Sequence, residues 1–528
     1  MSPTRRDALF QLSALFAIPL VRWPERLADP LTGTILDYQS GRARGDFTAT
    51  EVTTQALARC RSYNTTLHAV DQLSGRAIGE ARASDARARR GTLRGPLDGV
   101  PVFAKSIYDM QGVPTTASNT DWARLFPGPV RRDAIEVLRL RAVGAVILGK
   151  TVADDFAYRG NGTSTLSGQV RNPYDPTGLR TPGGSSAGSA VSVACGMAFA
   201  ALGTDDGGSN RIPAQFGGVV GMKPTFGLVP RTGVIPTWPY LDTHGPLART
   251  VADAALLLDA IAGPDASDAL ALRAHWQAGR LTLLNEGALR NARIGLADAH
   301  VPRAQMSVDA LAVFDRAIAD IKSAGAVVES CAPTVTRATF RNQFAEVAHA
   351  RGDIAPNANS PAATANALLR YFAGHGGNAR HDIKRGLAAY QKYYDVLPTG
   401  WEEMARLIDQ PYERDPAGLS FARSRETLVE QLADTFRAQR LDAMVYPTMP
   451  FAAPPVAESW PDIRTTLGYG NWLGLPEVSV PTGIGRDGMP AGNISFVGLP
   501  GSDARVLALA HGYERHSRRF VLPTLPPR

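Results

Sequence analysis

The apolar and polar positions of this chain alternate between two periods. Helical spacing, with apolar residues three and four apart, runs over 50–62 (TEVTTQALARCRS), 73–89 and 134–142. Short apolar runs of strand length follow them. GTLRGPLDGVPV opens one near residue 100, and AVILGK (145–150) is another, entered across Gly144, which stops the preceding helix. A small-residue helix is predicted over 187–201 and extended chain over GVVGMKP (218–224). Thr250 with Asp253 forms a capping-box pattern before VADAALLLDAIA, and Gly263-Pro264 ends that helix. ARIGLAD (292–298) reads as a strand, and Ser307 caps a helix to about Ser323. Residues 335–440 differ in character: helical, polar and aromatic-bearing (YFAGHGG, YQKYYDVL), without strand signals. LDAMVYP (441–447), LPEVSVPTG (475–483) and NISFVGL (493–499) resume the strands, and SDARVLALAHGYER, capped by Ser502, closes the pattern. This helix–glycine–strand rhythm predicts an α/β fold with a mixed, largely parallel central sheet covered by helices on both faces. Residues 31–528 are expected to form a single domain, with a helical covering insertion at about 335–440.

Composition narrows the class. The 528 residues are 44% hydrophobic and 20% charged, which is globular material with enough apolar surface for a large core. The net charge of +7 is dispersed. Its densest basic stretch, ARASDARARRGTLR (81–94), is broken by an acid and has no interleaved aromatics, so it reads as a solvated helix face and not a nucleic-acid groove. Cys60, Cys195 and Cys331 stand alone, which excludes zinc ribbons and disulfide frameworks. No HExxH occurs, and His375 and His381 in HGGNARH read as loop residues. No metal and no cofactor is expected. At the N-terminus, Arg5-Arg6 precedes an apolar run from Ala8 to Val21 that is too short to span a bilayer comfortably. Residues 1–30 therefore read as a twin-arginine export signal, against the alternative of a basic helix packed on the body. RLADP (26–30) is a poor cleavage site. The expected location is periplasmic or secreted, otherwise cytoplasmic, without stable membrane insertion.

Candidate chemistry concentrates in TPGGSSAGS (181–189) and GTDDGGSNR (203–211). A phosphate nest would need GxxxxGK[ST] or a strand followed by GxGxxG, and neither is present. GSSAG (184–188) fits G-x-S-x-G around Ser186, but a nucleophile elbow needs an apolar strand before it, and RNPYDPTGLRTP is a proline-broken loop. The third reading uses both stretches. GTDDGGS offers consecutive backbone N–H groups before Ser209, as an acyl-transfer nucleophile needs, because negative charge develops on the substrate carbonyl oxygen. One such donor is worth ~3 kcal/mol. No histidine shares a local motif with Ser209, so Lys105, at the end of the apolar GVPVFAKS, is the candidate base; burial lowers a lysine pKa and makes the amine usable.

Together with GPLDGVPVFAK (95–105), LRAVGAVILGKT (140–151), RNPYDP (171–176), GTDDGGSNRIPAQFGGVVGMKPTFG (203–227), RTGVIPTWPYLDTHGPLARTVADAA (231–255) and GLPEVSVPTG (474–483), these motifs identify a resemblance to the amidase signature family of serine hydrolases over about 35–515. The resemblance implies a Ser-cisSer-Lys triad with Ser209 as nucleophile, Lys105 as general base and Ser185 as the bridging serine, the Gly184–Ser185 peptide being cis. It implies an oxyanion hole from the backbone of Asp206, Gly207, Gly208 and Ser209, with Asp205 and Arg211 paired to brace that loop. Ser106, Ala187, Asp206 and Asn210 depart from the usual family pattern, and Asp206 places a carboxyl beside the oxyanion hole. The implied reaction is hydrolysis of a small-molecule carboxylic amide through an acyl-enzyme, with no cofactor, by a monomer or homodimer. The menu the resemblance implies runs over peptide C-terminal amides, aryl amides, fatty amides, cyclic or linear nylon oligomers, malonamate and carbamates, with linear amides expected. Alternatives are esterase or urethanase activity at the same site, or the glutaminase subunit of a tRNA amidotransferase. Pocket candidates are Tyr158, Arg159, Gly160 and Asn161; LGYGNWLG (467–474), with Asn471 and Trp472; and Tyr371, Phe372, Tyr393 and Tyr394 of the helical insertion.

Overall fold

The computed structural model describes residues 29–525, apart from 176, 269, 272–283, 334, 337–338 and 458–467. The expected export segment therefore lies outside the described residues except for Asp29 and Pro30, as does Leu467 of the LGYGNWLG stretch.

Eleven of the described strands pair into one sheet. In chain order the strands are β1 (Val70–Leu73), β2 (Pro101–Lys105), β3 (Val146–Thr151), β4 (Thr163–Ser164), β5 (Gly168–Gln169), β6 (Ala200–Thr204), β7 (Val220–Lys223), β8 (His244–Ala248), β9 (Arg293–Leu296), β10 (Val327–Ser330), β11 (Ala443–Pro447), β12 (Glu477–Ile484) and β13 (Pro490–Val497). The large sheet runs β1-β3-β2-β6-β8-β7-β12-β13-β11-β9-β10, while β4 and β5 form a separate hairpin. Two parallel blocks, β3-β2-β6 and β11-β9-β10, are joined through the antiparallel β8, β7, β12 and β13. The fold is the α/β class the sequence indicates.

Burial explains why the strands read as continuous apolar or small-residue runs. Every residue of β2, β3, β6, β7, β8, β11 and β13 is buried, so both faces of the sheet are covered. Two helix caps fall where the sequence places them. Thr250 Oγ1 accepts from Asp253 N at 3.1 Å at the start of Val251–Ile261, and Ser307 caps Val308–Ser323. The Asp253 carboxylate does not return the capping bond; it accepts from Ile35 N, tying the first helix of the described chain to the core.

Three local expectations shift. The helix predicted over 187–201 spans Ala187–Ala194; Gly196 takes a positive φ of 62°, and Ala200–Leu202 enter the sheet instead. Pairing to β2 and β8 overrides a local preference that small residues express only weakly. Ser502 precedes the closing helix Asp503–Ser517, but its hydroxyl donates to Leu499 O and accepts no N–H from the helix end. His381 sits in the first turn of a helix, Ala379–Gln391, capped by Asn378. Among the described residues, five α-helices lie between β10 and β11: Phe340–Ala350, Pro361–Ala373, Ala379–Gln391, Trp401–Ile408 and Pro416–Gln439. An aromatic cluster of Trp122, Phe126, Phe156, Phe372, Tyr390 and Tyr393 locks this segment to the helix Thr120–Leu125 and to the loop after β3.

Candidate active site

The site forms where β2, β6 and the helix Ala187–Ala194 converge. That helix lies close to the strands because its residues are small. A Cβ on Gly188 would stand 2.2 Å from Ala69 O and 2.6 Å from Val152 N, so any larger residue would push the helix off β3. The loop before the helix thereby reaches the end of β2.

Lys105, the last residue of β2, has no solvent exposure. Its Nζ lies 2.7 Å from Ser185 Oγ and 2.8 Å from Thr204 Oγ1, at the end of β6. Burial is the dominant influence on the amine and lowers its pKa to about 8, while the carboxyls of Asp206, Asp154, Asp205 and Asp242 pull the other way. The Gly184–Ser185 peptide is cis. A Cβ on Gly184 would meet Asp154 Oδ2 at 2.5 Å and the Gly160 carbonyl carbon at 3.0 Å, which reserves the position for glycine. The backbone of the two serine-bearing loops is joined by Ser186 N donating to Ser209 O at 3.2 Å. Ser186 itself is fully buried and directs its hydroxyl at Thr204 O and Asn210 Oδ1, away from solvent.

The loop carrying Ser209 is braced from below. Arg211, with no exposed surface, makes a bidentate contact with Asp205 at 2.9 and 2.8 Å and also pairs with Glu477 on β12. Asn471 donates to Asp205 O and Oδ1 and accepts from Arg211 Nη2 at 2.7 Å. Burial pushes the Asp205 carboxyl up, but Arg211 and the bond from Asn471 outweigh it and hold it well below the usual carboxylate range. Asp205 also accepts from Gly208 N at 2.8 Å and Asn210 N at 3.1 Å. The Gly208 N–H is thus committed to the brace. Among the described residues, the N–H groups of Asp206, Gly207 and Ser209 have no hydrogen-bond acceptor within the protein.

A cavity of about 280 Å³ opens above this loop, with Ser209, Asp206, Gly207 and Gly184 in its wall. Tyr158, Arg159, Gly160, Tyr394 and Trp472 also line it, but Asn161 and Asn471 do not. Asn161 instead offers its carbonyl to Gln169 and Thr181, and Asn471 spends its amide on Asp205 and Arg211. Tyr371, Phe372 and Tyr393 face inward packing: Tyr371 and His375 both meet Asp109, and Phe372 stacks on Trp122. Asp206 is 5% exposed, and its Oδ1 has no partner. Burial, then the neighbouring Asp242, raises its pKa well above the ordinary carboxylate value.

Several contributors escape sequence reasoning. Thr204 is signalled only by its place next to Asp205 in the glycine-rich motif. Thr237, Trp238, Arg341, Asn357 and Asn359 reach the cavity from distant segments and carry no local signal. Among the described residues, no group of three or more His, Cys, Asp or Glu is placed to hold a metal ion, and no helix is long and apolar enough to cross a membrane.

Comparison with known proteins matches this geometry to a family. The family model described as Amidase matches residues 51–507. The chain is 34% identical over 499 residues to a glutamyl-tRNA(Gln) amidotransferase subunit of Symbiobacterium thermophilum, covering 89% of this chain and 94% of that protein. It is also similar to the native peptide amidase of Stenotrophomonas maltophilia, with a TM-score of 0.75 and 32% identity over 94% of this chain and 99% of that one. An amidase family protein from Bacillus anthracis superposes with a TM-score of 0.76 at 25% identity, over 94% of this chain and 93% of that one.

Proposed function

The chain belongs to the amidase family of enzymes that cleave C–N bonds, and from that premise we propose that it hydrolyses a small carboxylic amide through an acyl-enzyme on Ser209. The observation that carries the assignment is the buried contact of Lys105 Nζ with Ser185 Oγ, in a dry site where the amine's pKa falls to about 8. Neutral Lys105 accepts a proton from Ser185 as Ser185 accepts one from Ser209, and the Ser209 oxygen adds to the amide carbonyl. The tetrahedral oxyanion is met by the uncommitted N–H groups of Asp206, Gly207 and Ser209, while Gly208 holds the loop through Asp205. The proton returns through Ser185 to the leaving amine, and water then releases the acyl group by the same relay. Each step passes protons along the relay without net gain or loss over the cycle and changes no oxidation state.

The aromatic walls of Tyr158, Trp238, Tyr394 and Trp472 and the cavity volume favour a linear amide of modest size. We read residues 31–528 as one catalytic domain whose segment 335–440 covers the site. A second reading, the glutaminase component of a tRNA amidotransferase, draws on the 34% identity to the Symbiobacterium thermophilum protein. Partner proteins that co-purify with the chain, and ammonia production that depends on them, would support it.

The test is hydrolysis of an anilide, a primary carboxamide, a peptide amide, a carbamate and an ester by wild type and Ser209→Ala, with mass detection of a covalent adduct from a sulfonylating reagent. Wild type is expected to cleave some of the panel and to be labelled once; Ser209→Ala should do neither. Full activity in the variant overturns the assignment.

A further inference from the structure

The mouth of the cavity carries a charge arrangement that the acyl-transfer chemistry does not use. Arg159 and Arg341, from segments 182 residues apart, are both exposed and both line it. Neither has an ion-pair partner among the described residues. The lining holds one carboxyl, Asp206, against the two guanidinium groups; it is buried, and burial, then Asp242, raises its pKa. The remaining lining is aromatic, aliphatic or neutral and polar, including Asn357 and Asn359. A small concave site with two unpaired guanidinium groups at its mouth and a single, buried carboxyl in its wall concentrates anions. The planar guanidinium fork matches the two oxygens of a carboxylate.

We propose that the substrate is an amide carrying a carboxylate remote from the scissile carbonyl, gripped by Arg159 and Arg341 while the amide reaches Ser209. This rests on the amide-hydrolase reading for its reaction but not for its binding. The cavity volume of about 280 Å³ suits a short acid-amide.

The test compares glutaramate with pentanamide, which have the same chain and differ by the carboxylate, together with calorimetric binding of glutarate to Ser209→Ala. Wild type is expected to favour the charged amide in kcat/KM by at least about tenfold. In Arg159→Gln and Arg341→Gln that ratio collapses toward unity through KM, with partial recovery in the lysine variants; added salt weakens the preference. Because the readout is a ratio within one preparation, partial misfolding of a variant does not mimic it. Hydrolysis of both amides without charge preference overturns the proposal and leaves the hydrolase reading standing. If neither amide is cleaved but glutarate binds in an arginine-dependent way, the anion site stands and the hydrolase reading falls. If neither is cleaved and glutarate does not bind, the proposal fails.

Discussion

If Lys105 is the general base, kcat/KM must follow the fraction of Lys105 that is neutral in the free enzyme. Burial brings its pKa to about 8 against the pull of Asp206, Asp154, Asp205 and Asp242. From that value the neutral fraction is about 1% at pH 6, about 9% at pH 7 and half at pH 8, whereas an ordinary lysine would give about 0.03% at pH 7. The expected profile therefore climbs about fiftyfold between pH 6 and pH 8 and gains only about twofold beyond. Initial rates on a neutral anilide at constant ionic strength measure it without interference from substrate ionisation. A charge change sharpens the test. Asp154, its pKa raised by burial to about 7, is largely ionised where Lys105 titrates. Asp154→Asn removes that negative charge, so the midpoint should move to lower pH, by roughly half a unit to one unit. A flat or falling wild-type profile, or a rise that continues to the range of a free lysine, would refute a dry lysine base. So would a midpoint that moves upward in Asp154→Asn.

Other outcomes follow from the same geometry. Gly184→Ala puts a methyl 2.5 Å from Asp154 Oδ2, displacing Ser185, and should lower kcat by roughly a hundredfold with far-UV circular dichroism unchanged. Arg211→Met leaves Asp205 and Glu477 buried without their cation and should cost about 3–5 kcal/mol in urea denaturation. Asp205's folded pKa lies below its unfolded one, so its stabilisation is present above about pH 4 and lost as pH falls through the folded value; in Arg211→Met the acid-unfolding midpoint should rise. Lys105→Met should be inactive yet more stable near pH 7, by up to about 3 kcal/mol less the lost bonds to Ser185 and Thr204. The sign is that of a base whose folded pKa is depressed: its destabilisation is full below pH 8 and vanishes as pH rises through the unfolded value near 10.5, so the two proteins' denaturation curves should converge above it.

The sequence by itself determined the elements whose signals are local. Thr250 and Ser307 cap the helices they precede because an Oγ can reach only the N–H groups of the next turn. The glycine-rich motifs mark Lys105, Ser185 and Ser209 because a close backbone approach demands small residues at fixed spacing, and Gly184 and Gly188 have no room for a Cβ. What the sequence could not express is who meets whom across the chain. The strand at Ala200–Thr204 exists because β2 and β8 flank it, and an all-buried run of small residues carries no period of its own. Asn471, a pocket candidate by sequence, is drawn under the Ser209 loop because Arg211 and Asp205 leave an amide-shaped gap there. Arg341, Asn357 and Asn359 come to one cavity with Ser209 only through the packing of the helical segment on the sheet. The reacting groups are written in motifs held together by short-range sterics, and the substrate's surroundings are decided by long-range packing, which no local spacing records.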